Sequence, residues 1–219
     1  MKRDTVLFDL DQTLLDKKQS LYNFSRYQFN KFSLSRFISR EQDFIEKFVA
    51  LNMIVLPKDQ VYKQLVASFD IEEDLLPMLL KDLNQNFHLH CVGYEGLHSM
   101  LEVLKSKHFK LGVVTNGRDF YQRNKIASLG IDQYFDTIVT SGSVNIRKPD
   151  HAIFKLALKA LNTLSEKAVF VGDNLEADII PAKALGMSTV HMGGHNAHPC
   201  VDVTCANLND IPRIIESFG

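Results

Sequence analysis

Two aspartates, Asp9 and Asp11, stand one residue apart where an apolar run, Val6 to Leu10, gives way to Asp11-Gln12-Thr13. Side chains alternate with a period of two along a strand, so both carboxylates would share a face if the strand continued. One such acid can hold a cation and attack an electrophile while the other handles protons. A pair of loop acids capping the next turn has the same spacing, and an Asp-x-Asp-x-Thr match alone leaves both readings open.

Three further sets bear on the choice. In Thr115-Asn116-Gly117 a hydroxyl, an amide and a glycine N–H could surround an oxyanion, although Asn-Gly is also common turn chemistry. Lys148, in Arg147-Lys148-Pro149-Asp150, precedes a helix whose N-terminus would also attract an anion; alone, a lysine there reads as solvated surface. In Gly172-Asp173-Asn174-Leu175-Glu176-Ala177-Asp178, Asp173 suits a hard cation such as Mg²⁺, and Asp178 could fix the metal's outer shell. Asp178 could also cap the next helix, with Pro181 in its first turn.

The elements that must hold these groups are legible as apolar runs. Val6 to Leu10, Leu111 to Thr115, Thr137 to Thr140, Ala168 to Val171 and Ser188 to His191 read as buried strands, the last four separated by helical patterns. Leu97, Met100, Leu101 and Leu104 recur at helical spacing, Ile126 and Leu129 precede a capping Gly130, and Asp150 can cap a helix carrying Ile153, Phe154, Ala157 and Leu161. A further helix ends at Leu185-Gly186. Alternating strand and helix predicts an α/β domain with a Rossmann-like, mainly parallel sheet. Each candidate group then follows a strand, or its loop, at one edge of that sheet, where open α/β folds bind ligands.

Residues 17–90 break the alternation and read as an inserted α-helical bundle, leaving 1–16 and 91–219 for the α/β core. Its segments are Gln19 to Phe32, a helix opened by a Ser39/Gln42 capping box and reaching Leu51, Pro57 to Phe69, and Leu75 to Phe87. Phe24, Tyr27, Phe29 and Phe32, with Arg26, Arg36 and Arg40, are expected to be bundle core and solvated surface more than substrate contacts. Val92 to Gly96 reads as the return linker.

Composition narrows the function classes. With 25 Lys plus Arg against 26 Asp plus Glu and no single-sign run, the chain lacks the electrostatic footprint of a nucleic-acid or anionic-membrane binder. No apolar stretch nears the ~18 residues that span a bilayer, and Asp9 and Asp11 interrupt the first apolar run, so no signal peptide is expected. Three scattered cysteines suit a reducing cytoplasm better than a disulfide framework. His191, His195, His198, Cys200 and Cys205 crowd one stretch, but their spacing matches no common zinc module and Gly193-Gly194 and Pro199 read as loop.

The ordered set Asp9-x-Asp11-x-Thr13, Thr115, Lys148-Pro149 and Gly172-Asp173 with Asp178 resembles the haloacid dehalogenase superfamily, in the branch with a helical cap inserted after the first strand. The second and fourth segments are most similar to nucleotide and N-acylneuraminate phosphate phosphatases. Gln12 stands where many relatives carry glycine, Pro181 replaces a small residue, and Asp11 is present where the true dehalogenases lack an acid, which favours phosphate substrates. The resemblance implies a Mg²⁺-dependent phosphatase: Asp9 attacks phosphorus to form an aspartyl phosphate, and Asp11 protonates the leaving oxygen, then activates water. Mg²⁺ would be held by Asp9, the backbone carbonyl of Asp11 and Asp173, with Asp178 in support, while Thr115, the backbone of Asn116 and Lys148 grip the phosphoryl oxygens. The cap would supply selectivity. The expected partner is a small phosphorylated metabolite, a nucleoside monophosphate or sugar phosphate, rather than a nucleic-acid polymer or membrane, and the expected assembly is a monomer or weak homodimer. The rival readings are a phosphomutase of the same superfamily and a non-hydrolytic phospho-accepting module.

Overall fold

The computed structural model describes residues 3–54, 56–194 and 198–219. Two compact units emerge, Met1–Leu15 with Gly93–Gly219, and Asp16–Val92. The first unit opens with β1 (Thr5–Phe8). The second contains α1 (Lys17–Lys31), α2 (Glu41–Met53), α3 (Lys58–Ser68) and α4 (Leu76–Asn86). The chain then returns through α5 (Leu97–Ser106), β2 (Lys110–Thr115), α6 (Asp119–Ser128), β3 (Thr137–Thr140), α7 (Ser141–Val144) and α8 (His151–Ala160). It closes with β4 (Ala168–Gly172), α9 (Ile180–Ala184), β5 (Ser188–Met192), β6 (Val203–Cys205) and α10 (Ile211–Ser217).

Among the described residues six strands form one sheet in the order β3-β2-β1-β4-β5-β6, and each adjacent pair is parallel. β1, β4 and β5 are buried along their whole length, as strands covered on both faces must be; β4 is apolar throughout, whereas Thr5 of β1 and Ser188, Thr189 and His191 of β5 are buried polar residues. Leu7, Val114 and Phe170 meet Ile153, Phe154 and Ala157 of α8 in one apolar layer. The chain winds outward from β1 to β2 and β3, then crosses to β4 and winds the other way. That reversal creates a crevice at the carboxyl ends of β1 and β4, where no crossover covers the sheet edge. Register puts Phe8 beside both Val113 and Val171, so the residues just past these strands converge there.

In the helical unit, Asp16 caps α1 by accepting a hydrogen bond from the Gln19 N–H at 2.8 Å. Phe24, Phe29, Phe44, Phe48 and Tyr62 pack in its core with Leu65 and Leu79. A polar network crosses this core: the Tyr62 hydroxyl donates to Gln28 Oε1 at 2.7 Å, and the Gln28 amide donates to the Leu79 carbonyl at 2.9 Å. The expected capping box at Ser39 does not form. α2 begins only at Glu41, with Arg40 as an N-cap that makes no side-chain bond, and Gln42 falls too early in the helix to reach back. It donates instead to Glu46 at 2.9 Å, while Glu41 and Asp43 offset the positive helix end. Arg26 donates to the Tyr22 hydroxyl at 2.8 Å, Arg36 lies 4.7 Å from the Phe37 ring centre, and Arg40 pairs with Asp43 at 3.7 Å.

β6 extends the sheet beyond the five expected strands. Among the described residues no helix is long and apolar enough to cross a membrane.

Candidate active site

Asp9 follows β1 and is fixed by its own N–H, which donates to the Val171 carbonyl at 2.9 Å. Its Oδ1 lies 2.6 Å from Lys148 Nζ, and the same ammonium lies 2.6 Å from Asp178 Oδ1. Lys148 is only 4% exposed. Burial opposes its charge, but the Asp9 and Asp178 carboxylates outweigh that cost and hold its pKa above the ordinary lysine value. The lysine's backbone is clamped by Asn116. Its N–H donates to Asn116 Oδ1 at 2.9 Å, and the Asn116 amide donates back to the Lys148 carbonyl at 3.0 Å. Asp150, as expected, caps α8 by accepting from the Ala152 N–H at 2.8 Å.

Asp9, Asp173 and Asp178 each offer a carboxylate oxygen within 4.8 Å of the others. Burial, followed by the charge of Asp9, pushes Asp173 up to about 6. The same two causes in the same order push Asp178 up to about 7. Three carboxylates face one ammonium, and a hard divalent cation is the group whose charge and ligand preference meet that imbalance. The Gln12 amide donates to Asp173 Oδ2 at 3.1 Å. His191 Nε2 lies 2.9 Å from the Asp173 carbonyl, an acceptor, so Nε2 carries the proton; Nδ1 is buried with no hydrogen-bond partner among the described residues.

Asp178 does not cap a helix. It sits inside a π-helical turn, Leu175–Ile179, whose cap is Asn174, the side chain accepting from the Ala177 N–H at 2.9 Å. Asp178 Oδ2 instead accepts from the Asn174 N–H at 3.2 Å. The wide turn directs this carboxylate back toward β4, and a Cβ on Gly172 would stand 2.5 Å from Oδ2. Glycine is needed there for room.

Thr115 ends β2, with its Oγ1 2.7 Å from the Gln122 amide. The Gly117 N–H is not available to an oxyanion as expected, because it donates to Ser141 Oγ at 2.9 Å. The Asp11 carboxylate lies outside the acidic trio. It faces α6, with Lys125 Nζ at 2.8 and 3.0 Å from its two oxygens and the Gln122 amide at 3.2 Å. The apolar pattern of this helix, Ile126 and Leu129 before Gly130, does not single out Gln122 or Lys125. A long polar residue one turn from Lys125, amid Ile126 and Leu129, was the available signal.

The stretch from His191 to Cys205 has other uses for its described side chains. His198 Nδ1 accepts from the Cys200 N–H at 3.2 Å, and Cys205 Sγ donates to the Asn207 carbonyl at 3.1 Å. His195 lies outside the described residues.

Residues 6–192 match the family model described as haloacid dehalogenase-like hydrolase. Glyceraldehyde 3-phosphate phosphatase of Methanocaldococcus jannaschii is 31% identical over 199 residues, covering 85% of this chain and 83% of that protein. Phosphoglycolate phosphatase of Colwellia psychrerythraea is 28% identical over 196 residues, covering 86% and 84% respectively. Among solved structures, a phosphatase of the same superfamily from Thermococcus onnurineus superimposes with a TM-score of 0.67 at 28% identity, covering 98% of each chain. A matching family model across the sheet that carries Asp9, Thr115, Lys148 and Asp173, and a relative of this identity over most of both chains, make the protein a member of the haloacid dehalogenase-like hydrolase family.

Proposed function

We propose that the protein is a Mg²⁺-dependent phosphatase of small phosphate monoesters, acting through an aspartyl phosphate on Asp9. The observation that carries this reading is the buried cluster in which Lys148 Nζ lies 2.6 Å from both Asp9 and Asp178 at the carboxyl ends of β1 and β4. Asp9, Asp173 and Asp178, with the backbone carbonyl of Asp11, would hold the ion, which when bound offsets repulsion between carboxylate and phosphate dianion. Lys148, Thr115 and the backbone N–H of Asn116 grip the phosphoryl oxygens as charge spreads over them. Asp9 is the nucleophile. Asp11 delivers a proton to the leaving oxygen and afterwards takes one from water.

The named relatives act on glyceraldehyde 3-phosphate and phosphoglycolate, which favours a compact carbon-chain phosphate among the monoesters. The core groups recognise only a phosphoryl group and a cation, so we assign selectivity among leaving groups to the inserted helices. We also propose a cytoplasmic location, which fits the cysteine usage, and a monomer or weak homodimer as the assembly.

Release of inorganic phosphate from a panel of two- and three-carbon, sugar and nucleoside monophosphates, with and without Mg²⁺, tests the assignment. Hydrolysis of at least one class, dependent on the ion, is expected. Exchange of phosphate between positions of a sugar without release would support a mutase, and labelling of Asp9 without turnover a phospho-accepting module.

A further inference from the structure

Helix α6 turns two long polar side chains toward the sheet edge. Gln122 is 2% exposed, and its amide nitrogen lies 2.7 Å from Thr115 Oγ1 and 3.2 Å from Asp11 Oδ2. Lys125, three residues on and therefore on the same face, places Nζ 2.8 and 3.0 Å from the two Asp11 oxygens. Exposed ion pairs contribute little, but here the side chains are only 14% and 25% exposed and both carboxylate oxygens are engaged. A buried glutamine is costly unless its amide finds partners, and both partners of this one belong to the candidate site. Gly117 makes the room: a Cβ there would stand 2.9 Å from Gln122 Cγ and Cδ.

We propose that Lys125 and Gln122 are positioning residues that hold the Asp11 carboxylate, in register with Thr115, for hydrolysis of the aspartyl phosphate. The inference rests on the reading of Asp11 as the proton-handling group. In this half of the reaction the water oxygen bonds to phosphorus while the bond between phosphorus and the Asp9 oxygen breaks. The proton lost by water passes to Asp11, and Asp9 recovers its carboxylate. Asp11 can do this only if an oxygen points at the water, and the bidentate contact to Lys125 removes the side-chain rotations that would turn it away. A misplacement of about 1 Å can cost roughly 100-fold in such a step.

The test measures both turnover and trapped phosphoenzyme in the Mg²⁺-loaded protein. An aryl phosphate labelled in its phosphoryl group is used, because its leaving group departs without protonation. In Lys125→Met, turnover should fall by about 100-fold while acid-quenched phosphoenzyme rises toward one per molecule. Gln122→Leu should shift both in the same directions by about 10-fold, and Lys125→Arg, which keeps a bidentate donor, should stay within about 5-fold of the parent. A joint fall of turnover and phosphoenzyme, as a merely structural role would produce, overturns the proposal; so does unchanged turnover. Asp11→Asn separates the two levels. If it accumulates phosphoenzyme and Lys125→Met does not, positioning fails while the role of Asp11 stands. If neither these variants nor the parent yields any phosphoenzyme, the underlying reading fails and the proposal with it.

Discussion

Lys148 Nζ lies 2.6 Å from Asp9 Oδ1, joining two residues 139 positions apart across the mouth of the β1–β4 crevice. Asp178 shares the same ammonium. Removing a buried cation strands the carboxylates it faces, so Lys148→Met should lose about 3–5 kcal/mol of stability in the metal-free protein at neutral pH. Chemical denaturation in chelator measures this. The deficit should shrink in Mg²⁺, and an equal deficit with and without the ion would count against a shared site.

Gly172→Ala probes the opposite kind of contact. Its Cβ would stand 2.5 Å from Asp178 Oδ2, so the carboxylate must shift from its present place beside Asp9 and Asp173. Calorimetric titration should show Mg²⁺ affinity reduced by about 10-fold or more, in the range found when groups supporting a metal are disturbed. Unchanged affinity would mean that Asp178 does not serve the ion.

The acidic trio makes the metal-free fold sensitive to pH. Asp173 at about 6 and Asp178 at about 7 are both raised from the model-peptide value of 3.8. The folded state therefore favours their protonated forms. That contribution is complete below pH 3.8 and is lost as pH rises through 6 and 7. Mg²⁺ should accordingly raise Tm more at pH 8 than at pH 5, because at the lower pH protons compete for its ligands. Scanning calorimetry with and without the ion gives the comparison, and a pH-independent increment would contradict it.

Gln12 carries a φ of +65°, a left-handed conformation that costs a residue with a Cβ about 1 kcal/mol or more. Its amide donates to Asp173. Gln12→Gly should keep nearly the parent's stability, since relief of strain offsets the lost hydrogen bond. Gln12→Ala loses the bond and keeps the strain, so it should be less stable than Gln12→Gly by about 1 kcal/mol, reversing the usual order of alanine and glycine. Urea denaturation of the pair decides it.

The buried strands were legible because parallel strands covered on both faces are rich in apolar and β-branched residues, although β5 also buries Ser188, Thr189 and His191. Thr137 to Thr140 coincides with β3, and the other four expected strands differ from the observed ones by a residue or two at their ends. β6 was not legible: three residues, Val203–Cys205, one of them exposed, carry too little pattern. Asp9, Asp173, Asp178 and Lys148 converge because each follows a strand or its loop, which the alternation of elements implies. The clamp between Asn116 and Lys148, and the grip of α6 on Asp11, depend on side chains reaching across the sheet edge, which spacing along the chain does not encode. The helix caps divide the same way. Asp150 caps α8 as its position suggests, whereas the π turn hands the capping role to Asn174 and frees Asp178 for the acidic trio.

The aspartyl phosphate on Asp9 is the central claim, and trapping it is the most direct measurement. The Mg²⁺-loaded protein is mixed with labelled substrate, quenched in acid and digested, and the phosphorylated peptide is sequenced by mass spectrometry. The account predicts a label that is stable in acid, lost in base and confined to Asp9, and it predicts that Asp9→Asn folds, takes up no label and shows no turnover. Label on another residue, or turnover by Asp9→Asn near that of the parent, would contradict it.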